Sequence, residues 1–307
     1  MANWPRLDAG DAPTLATLHF ASQMLGKIRI AHAPWVNHGW HATLRPRANG
    51  LATLPTAAGD GRTFTLALDL CRHGIVLHVS DGAEDFLRFE GQTVAELHAG
   101  FVAMLDGQRL PSNFDARPNE IPDAVCFADD HAPRLYDCDS ATRLHGALSR
   151  IVPAFDRFRA GFIGKASPVH FFWGSFDLAV TRFSGNEAPE HPGGIPGLPD
   201  RITREAYSHE VSSAGFWPGG ASAPPGTEPL FYSYAYPEPE GFRDTDTDLE
   251  GAIFDAKLGE YVLSYAHVRA SPAPDRALMM FLRSTYNRAA NLADWNRMAL
   301  EREPVAP

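Results

Sequence analysis

The residue whose chemistry most needs explaining in this 307-residue chain is Asp177, a carboxylate set between Phe176 and Leu178 in the apolar run Val169 to Phe183. Burying it unpaired costs several kcal/mol, at least ~2 on mutational scales, so it needs a hydrogen-bonding or ionic partner. Arg182, Lys165 and His209 are the candidates. His209 and Glu210 belong to a second stretch, Arg204 to Trp217, where titratable and hydroxyl side chains crowd an alternating sequence. Such residues suit acid–base chemistry on a small anionic or polar substrate. In that reading His209 is the general acid or base and Glu210 or Asp177 orients it. Lys165 and Arg182 hold the substrate, His170 and Ser175 lie beside it, and Trp173 and Trp217 form walls.

Other chemistries are weaker on spacing. His38 and His41 make an HxxH pair, but in strand-like sequence i and i+3 face opposite ways, so a shared metal requires a turn there. No metal is assigned. Ser175 or Ser213 could join His209 and Asp177 in a nucleophilic arrangement, yet no GxSxG elbow surrounds either serine. The aromatic runs Phe171–Trp173, Phe216–Trp217 and Phe231–Tyr236 could line a pocket and could equally fill a β core.

The elements that must position these residues read as a repeat. With Lys27 placed on Lys165, Gly26 to Trp35 aligns with Gly164 to Trp173, and Gly, Lys, His and Trp coincide. These lysines stand out because the chain has only three, with Lys257, against 24 arginines. Each is read as packing its stem on a tryptophan. A helical pattern precedes each Gly-Lys pair: one starts at Asp11 and Pro13, the other at Asp139 or Ser140, with Pro153 expected to kink or split it. Strand-like runs follow, Trp40 to Leu44 and Val169 to Phe183, with Gly174 as a candidate bulge. Each half then shows a hairpin, Thr63–Asp69 into Ile75–Val79 and Ala252–Ala256 into Tyr261–Val268. Each closes on a helix, one opened by the Thr93/Glu96 capping box and the other by Pro274-Asp275. The fold class is therefore α+β: an internal duplication of an α-β-β-β-β-α unit, with antiparallel sheets and helices on their outer faces. Residues 1–107 form the first repeat, the Pro-, Asp- and Asn-rich residues 108–138 the connector, and 139–307 the second repeat.

Two Pro/Gly-rich insertions, Asn186 to Asp200 and Phe216 to Pro229, distinguish the second half and frame the Arg204–Trp217 stretch. The segments Gly164 to Ala179, Thr181 to Gly185 and Arg204 to Gly219 resemble the bacterial domain-of-unknown-function family 5996. Asn37-His38-Gly39-Trp40-His41 is similar to that family's Asn-His-Trp-Trp-His signature, with Gly39 as a departure. The resemblance implies no activity, cofactor or catalytic residue.

A net charge of −10 and the absence of a basic run argue against nucleic acid. The stretch from Met1 lacks the apolar core of a secretory signal, and no run approaches the ~20 apolar residues of a membrane span. Cys71, Cys126 and Cys138 form neither a disulfide framework nor a CxxC knuckle, which suits a reducing cytoplasm. Neither Gly-Lys pair sits in a phosphate-cradling turn, so no nucleotide cofactor is expected. A non-catalytic small-molecule-binding protein and a structural or interaction module are the alternatives to an enzyme.

Overall fold

The computed structural model describes residues 4–195, 197–244 and 250–302. Met1, where the N-terminal stretch begins, and Pro196 of the first insertion lie outside them.

Helix α1 (Ala12–His32) opens on Pro13 in its first turn, as the sequence predicts. It is buried on most of its circumference, from Thr14 to Arg29, so it works as an interior helix rather than a surface one. The first sheet follows: β1 (Arg45–Arg47), β2 (Gly50–Ala52), β3 (Thr56–Ala57), β4 (Thr63–Asp69), β5 (Gly74–Val79) and β6 (Glu84–Arg88). They are antiparallel in the order β1-β2-β4-β5-β6, with β3 also on β4. Helix α2 (Val94–Gly107) begins with the anticipated capping box: Glu96 N–H donates to Thr93 Oγ1 and Thr93 N–H to the Glu96 carboxylate. Residues 108–137 carry only a 3-10 turn at Phe127–Asp129, the last expected connector residue, Cys138, being the first of the next helix.

The second half starts with α3 (Cys138–Ala160), which runs through Pro153 without splitting. Then come β7 (His170–Phe172), β8 (Asp177–Glu187), α4 (Asp200–Ala206), β9 (His209–Trp217), β10 (Leu230–Tyr236), β11 (Ala252–Asp255) and β12 (Glu260–Ser264). Helices α5 (Tyr265–Ala270), α6 (Pro274–Leu292) and α7 (Arg297–Leu300) close the chain. The second sheet is antiparallel in the order β11-β12-β10-β9-β8-β7. The protein is thus α+β with two six-stranded antiparallel sheets and helices around them, an arrangement that fits a duplication.

Local details differ from the sequence pattern, each for a physical reason. Trp40–Leu44 is not a strand: Asn37–Gly39 is a 3-10 turn with His38 at φ 59°, and Leu44 makes a single antiparallel bridge to Phe171. That bridge, Leu44 N to Phe171 O at 3.0 Å and its reciprocal at 2.8 Å, couples the halves. The run Val169–Phe183 folds back on itself as the β7–β8 hairpin, because Trp173–Phe176 makes a turn with Phe176 at φ 63° where Gly174 suggested a bulge. Arg204–Trp217 divides into the end of α4 and the strand β9. The aligned decads are not equivalent in space: Lys27 lies inside α1, whereas Lys165 lies beyond the end of α3. Each lysine contacts the other half's aromatic residue, Lys27 with Trp173 at 5.9 Å and Lys165 with Trp40 at 5.7 Å.

Strand period assigns the faces of the second sheet. Leu178, Val180, Arg182, Phe216 and Phe231 are buried on the side covered by α3 and α6, while Asp177, Thr181, Ser213 and Tyr232 take the opposite side. One buried core runs from Leu15 and Leu18 of α1 through Leu66 and Leu77 of the first sheet to Phe171 and Phe281.

Gly26 lets the halves meet. Trp173 crosses α1 there, with its indole N–H donating to Ala42 O at 2.8 Å, and a Cβ on Gly26 would lie 1.9 Å from Trp173 Nε1. Alanine at an ordinary helical position gains ~1 kcal/mol over glycine. At Gly26 the clash reverses the sign, and Gly26→Ala is expected to cost about 2 kcal/mol in urea denaturation, within the usual range for overpacking.

Candidate ligand-binding cavity

The free face of the second sheet floors a cavity of about 510 Å3. Asp177, Ala179, Thr181 and Phe183 of β8, Val211, Ser213 and Trp217 of β9, Tyr232 and Tyr234 of β10, and Glu260 of β12 line it. Its roof comes from elsewhere in the chain: Trp35 and His38–Ala42 of the first half, Asn119 and Glu120 of the connector, Ile195 and Leu198 of the first insertion, and Ile202, Thr203 and Ala206 of α4. Among the described residues no lysine or arginine lines it.

Asp177 sits at the end of the β7–β8 turn and is 6% exposed. Its partners are hydroxyls: Ser175 Oγ donates to Oδ1 and Tyr232 OH to Oδ2. None of the cations expected from sequence reaches it. Burial raises its pKa, and the two hydroxyl donors only partly offset that. Tyr232 reaches Asp177 across the sheet because its cross-strand neighbour is Gly215, where a Cβ would lie 2.2 Å from the Tyr232 ring. Two donors, the half-buried Trp217 and the buried His19, fix the turn itself. Trp217 Nε1 donates to Ser175 O at 3.0 Å, and His19 of α1 donates from Nε2 to Gly174 O at 2.9 Å while its Nδ1 accepts Ala221 N–H at 3.1 Å. Full burial of the ring holds His19 neutral, its pKa pushed down to about 4, with the bond to Gly174 O only partly opposing this.

Two more carboxyls share the cavity. Glu120 arrives on a connector residue at φ 55° and lies against Gly174, whose absent Cβ would sit 2.0 Å from Oε1. Helix α1 fixes that segment: the Gln23 side chain bonds both Asn119 N (2.8 Å) and Asn119 O (2.7 Å), and Lys27 Nζ donates to Asn119 Oδ1 at 2.6 Å. Burial first, then the charge of Asp177, raise the Glu120 pKa to about 7. Glu260 is raised to about 8, by burial and then by Asp177 and Asp255. Between them Tyr207 OH donates to Tyr234 OH at 2.9 Å, and burial keeps both phenols protonated.

The roof is tied down by Glu205 of α4, which accepts Trp35 Nε1 at 2.8 Å and His38 N–H at 3.2 Å. His38 Nδ1 faces Ala206 O at 3.1 Å and so carries the proton, leaving Nε2 to accept from Lys165 Nζ at 2.8 Å. Burial, then the Lys165 charge, lower the His38 pKa.

Of the residues singled out in the sequence, Asp177, Trp173, Ser175 and Trp217 line this cavity, as do Ser213 and the HxxH histidines His38 and His41. His209, Glu210, Lys165, His170 and Arg182 do not. His209 opens β9 and bonds Ser208 Oγ at 3.0 Å, and Glu210 is met by Asn186 Nδ2 at 3.2 Å on the surface. His170 is buried beside Thr43 Oγ1 at 3.2 Å. Arg182 points to the helical side, where it donates to Phe158 O and lies 3.5 Å from the Phe158 ring centroid and 4.2 Å from that of Tyr286. The HxxH histidines do occupy a turn, but their rings go to separate partners, Lys165 for His38 and Val36 N–H for His41. Among the described residues no group of three or more His, Cys, Asp or Glu is placed to hold a metal ion.

Sequence reasoning missed Glu120, Glu260 and His19, and it gave Tyr232 no separate role within its aromatic run. A carboxylate following Gly259 in a hairpin reads as a surface residue, and nothing local to Glu120 marks it as interior.

The raised carboxyls make stability fall as pH rises. The folded protein keeps protons on Glu120 and Glu260 that the unfolded chain releases near the ordinary glutamate value of 4.5, so stability declines until pH passes about 7 to 8. His19 and His170, lowered to about 4 and 3, act oppositely, but only below about 6.5. Urea midpoints are therefore expected to drop between about pH 6.5 and 8.5, and Glu260→Gln or Glu120→Gln should flatten that drop.

The chain belongs to the family of unknown function DUF5996, whose model matches residues 4–302. No curated protein and no solved structure matches it. Among the described residues no helix is long and apolar enough to cross a membrane.

Proposed function

We propose that the cavity of this DUF5996 member binds a small organic cation, a protonated amine or a quaternary ammonium. The observation that carries this reading is the composition of the lining: three carboxyl groups and a ring of tryptophan, tyrosine and phenylalanine side chains, with no lysine or arginine among its described residues. A cation over aromatic faces is attracted by their quadrupoles, by about 2 kcal/mol when desolvated. It also supplies the countercharge that Glu120 and Glu260 lack, which is why their protons are held so tightly without it. An anion would meet no lysine or arginine among the described lining residues, and like charge once the carboxyls ionise. Lys165 and Arg182, the residues expected to hold one, are committed to His38 and to the helical layer.

Acid–base turnover of the bound cation is the second reading. It is favoured by Glu120, whose carboxyl titrates near neutrality beside Asp177, a pairing suited to moving a proton. The non-catalytic alternative uses the same contacts.

Benzylammonium, benzyl alcohol and benzoate share one skeleton and differ in charge, so their titration by calorimetry tests the reading. Benzylammonium is expected to bind at least tenfold tighter than the alcohol, about 1.4 kcal/mol, and benzoate not at all. Its affinity should rise from about pH 6 to 8.5 as the carboxyls ionise. Glu120→Gln should weaken it, and His209→Ala should leave it unchanged. Preferential binding of benzoate, or equal binding of the alcohol, would refute the proposal.

A further inference from the structure

We infer that the ligand carries two cationic groups separated by an apolar spacer, a diamine or longer polyamine; this rests on the cation-binding reading above. The carboxyls of the cavity are not gathered at one point. Asp177 and Glu120 meet at the Trp173–Phe176 turn, where Glu120 lies against Gly174. Glu260 stands at the other pole, on β12.

The strand register separates these poles. Thr181, Ser213 and Tyr234 form one transverse row across β8, β9 and β10. Ser233 pairs with Tyr261, which brings Glu260 level with Tyr234 at the end of that row. Asp177 lies four residues down β8 from Thr181, and β12 is three strands from β8 in the sheet order. At about 3.3 Å per residue and 4.8 Å per strand, a flat sheet would set the two backbones roughly 19 Å apart. Twist and inward-leaning side chains shorten the gap between the carboxyls, which still influence each other's titration. Two ammonium groups joined by a spacer can meet both poles at once.

The floor between the poles suits a methylene chain. Tyr232 and Tyr234 stack with ring centroids 6.2 Å apart and planes 17° from parallel, and Ala179 and Val211 lie beside them. The charged groups around this floor are Asp177, Glu120 and Glu260, with Asp255 next to Glu260 and the His38–Lys165 pair under the roof. The phenols of Tyr207, Tyr232 and Tyr234 remain neutral donors.

The test is calorimetric titration of the full chain at about pH 8 with α,ω-diaminoalkanes from three to eight carbons and with spermidine, each set against the n-alkylamine of matching length. Diamines are expected to gain affinity with length up to an optimum, and there to exceed the matched monoamine at least tenfold. Glu260→Gln should weaken the diamines more than the monoamines and so remove that advantage. Diamines no tighter than monoamines at any length would overturn the two-cation inference while the cation-binding reading stands. An advantage that survives Glu260→Gln would overturn the assignment of the second pole. Failure of both ligand classes to bind would overturn both readings. The wild-type length series decides the matter even if the variant does not fold.

Discussion

A carboxylate enclosed at the end of a β hairpin sets the terms for the rest of the second half. Asp177 is removed from water, so each of its oxygens needs a donor. Ser175 serves one oxygen from within the same turn, which requires Phe176 to adopt a left-handed conformation, costly for a bulky residue. The fully buried Phe176 ring, stacked on His19 at 4.9 Å, holds it there. Tyr232 serves the other oxygen from two strands away and can do so only because Gly215 leaves its path open. Remove any one of these and the acid is left with an unmet acceptor, a loss of about 1 to 3 kcal/mol.

Support for this turn comes from across the molecule. Helix α1 belongs to the first half in sequence, yet its His19 binds the turn, its Gly26 admits Trp173, and its Gln23 and Lys27 hold the connector that delivers Glu120. Lys165 of the second half returns the arrangement by fixing His38 of the first. The two lysines therefore do related work, each positioning a wall of the cavity contributed by another part of the chain. Neither lysine lines the cavity itself, whose described lining is acidic and aromatic.

The proposed preference for a cation rests on that electrostatic imbalance. A protein that buries several carboxyls without cations must keep protons on them, and the raised values for Glu120 and Glu260 express that constraint. A cationic ligand relieves it. The aromatic walls serve the same end, since tyrosine and tryptophan faces favour a desolvated ammonium over water or an anion.

The sequence by itself determined the local order of the chain. Hydrophobic period and capping residues located α1, α2 and α6 and the β4–β5 and β11–β12 hairpins, because those signals act over a few neighbouring residues. The same local reasoning marked Asp177 as a buried acid in need of partners, and Trp173, Ser175 and Trp217 as residues of interest near it. It misread Trp40–Leu44 as a strand, carried the last hairpin through Tyr265–Val268, which are helical, and took Arg204–Trp217 as one alternating stretch, since aromatic and hydroxyl residues suit turns and pleated surfaces alike. Only the tertiary structure decided who answers Asp177. Strand period placed Arg182 on the opposite face of β8, a short helix ending at Ala206 set the start of β9, and the chain's return through the connector and β12 brought in Glu120 and Glu260. Burial and the sign of neighbouring charges are properties of residues far apart in sequence, and they, rather than the residue types, fix what a carboxyl does.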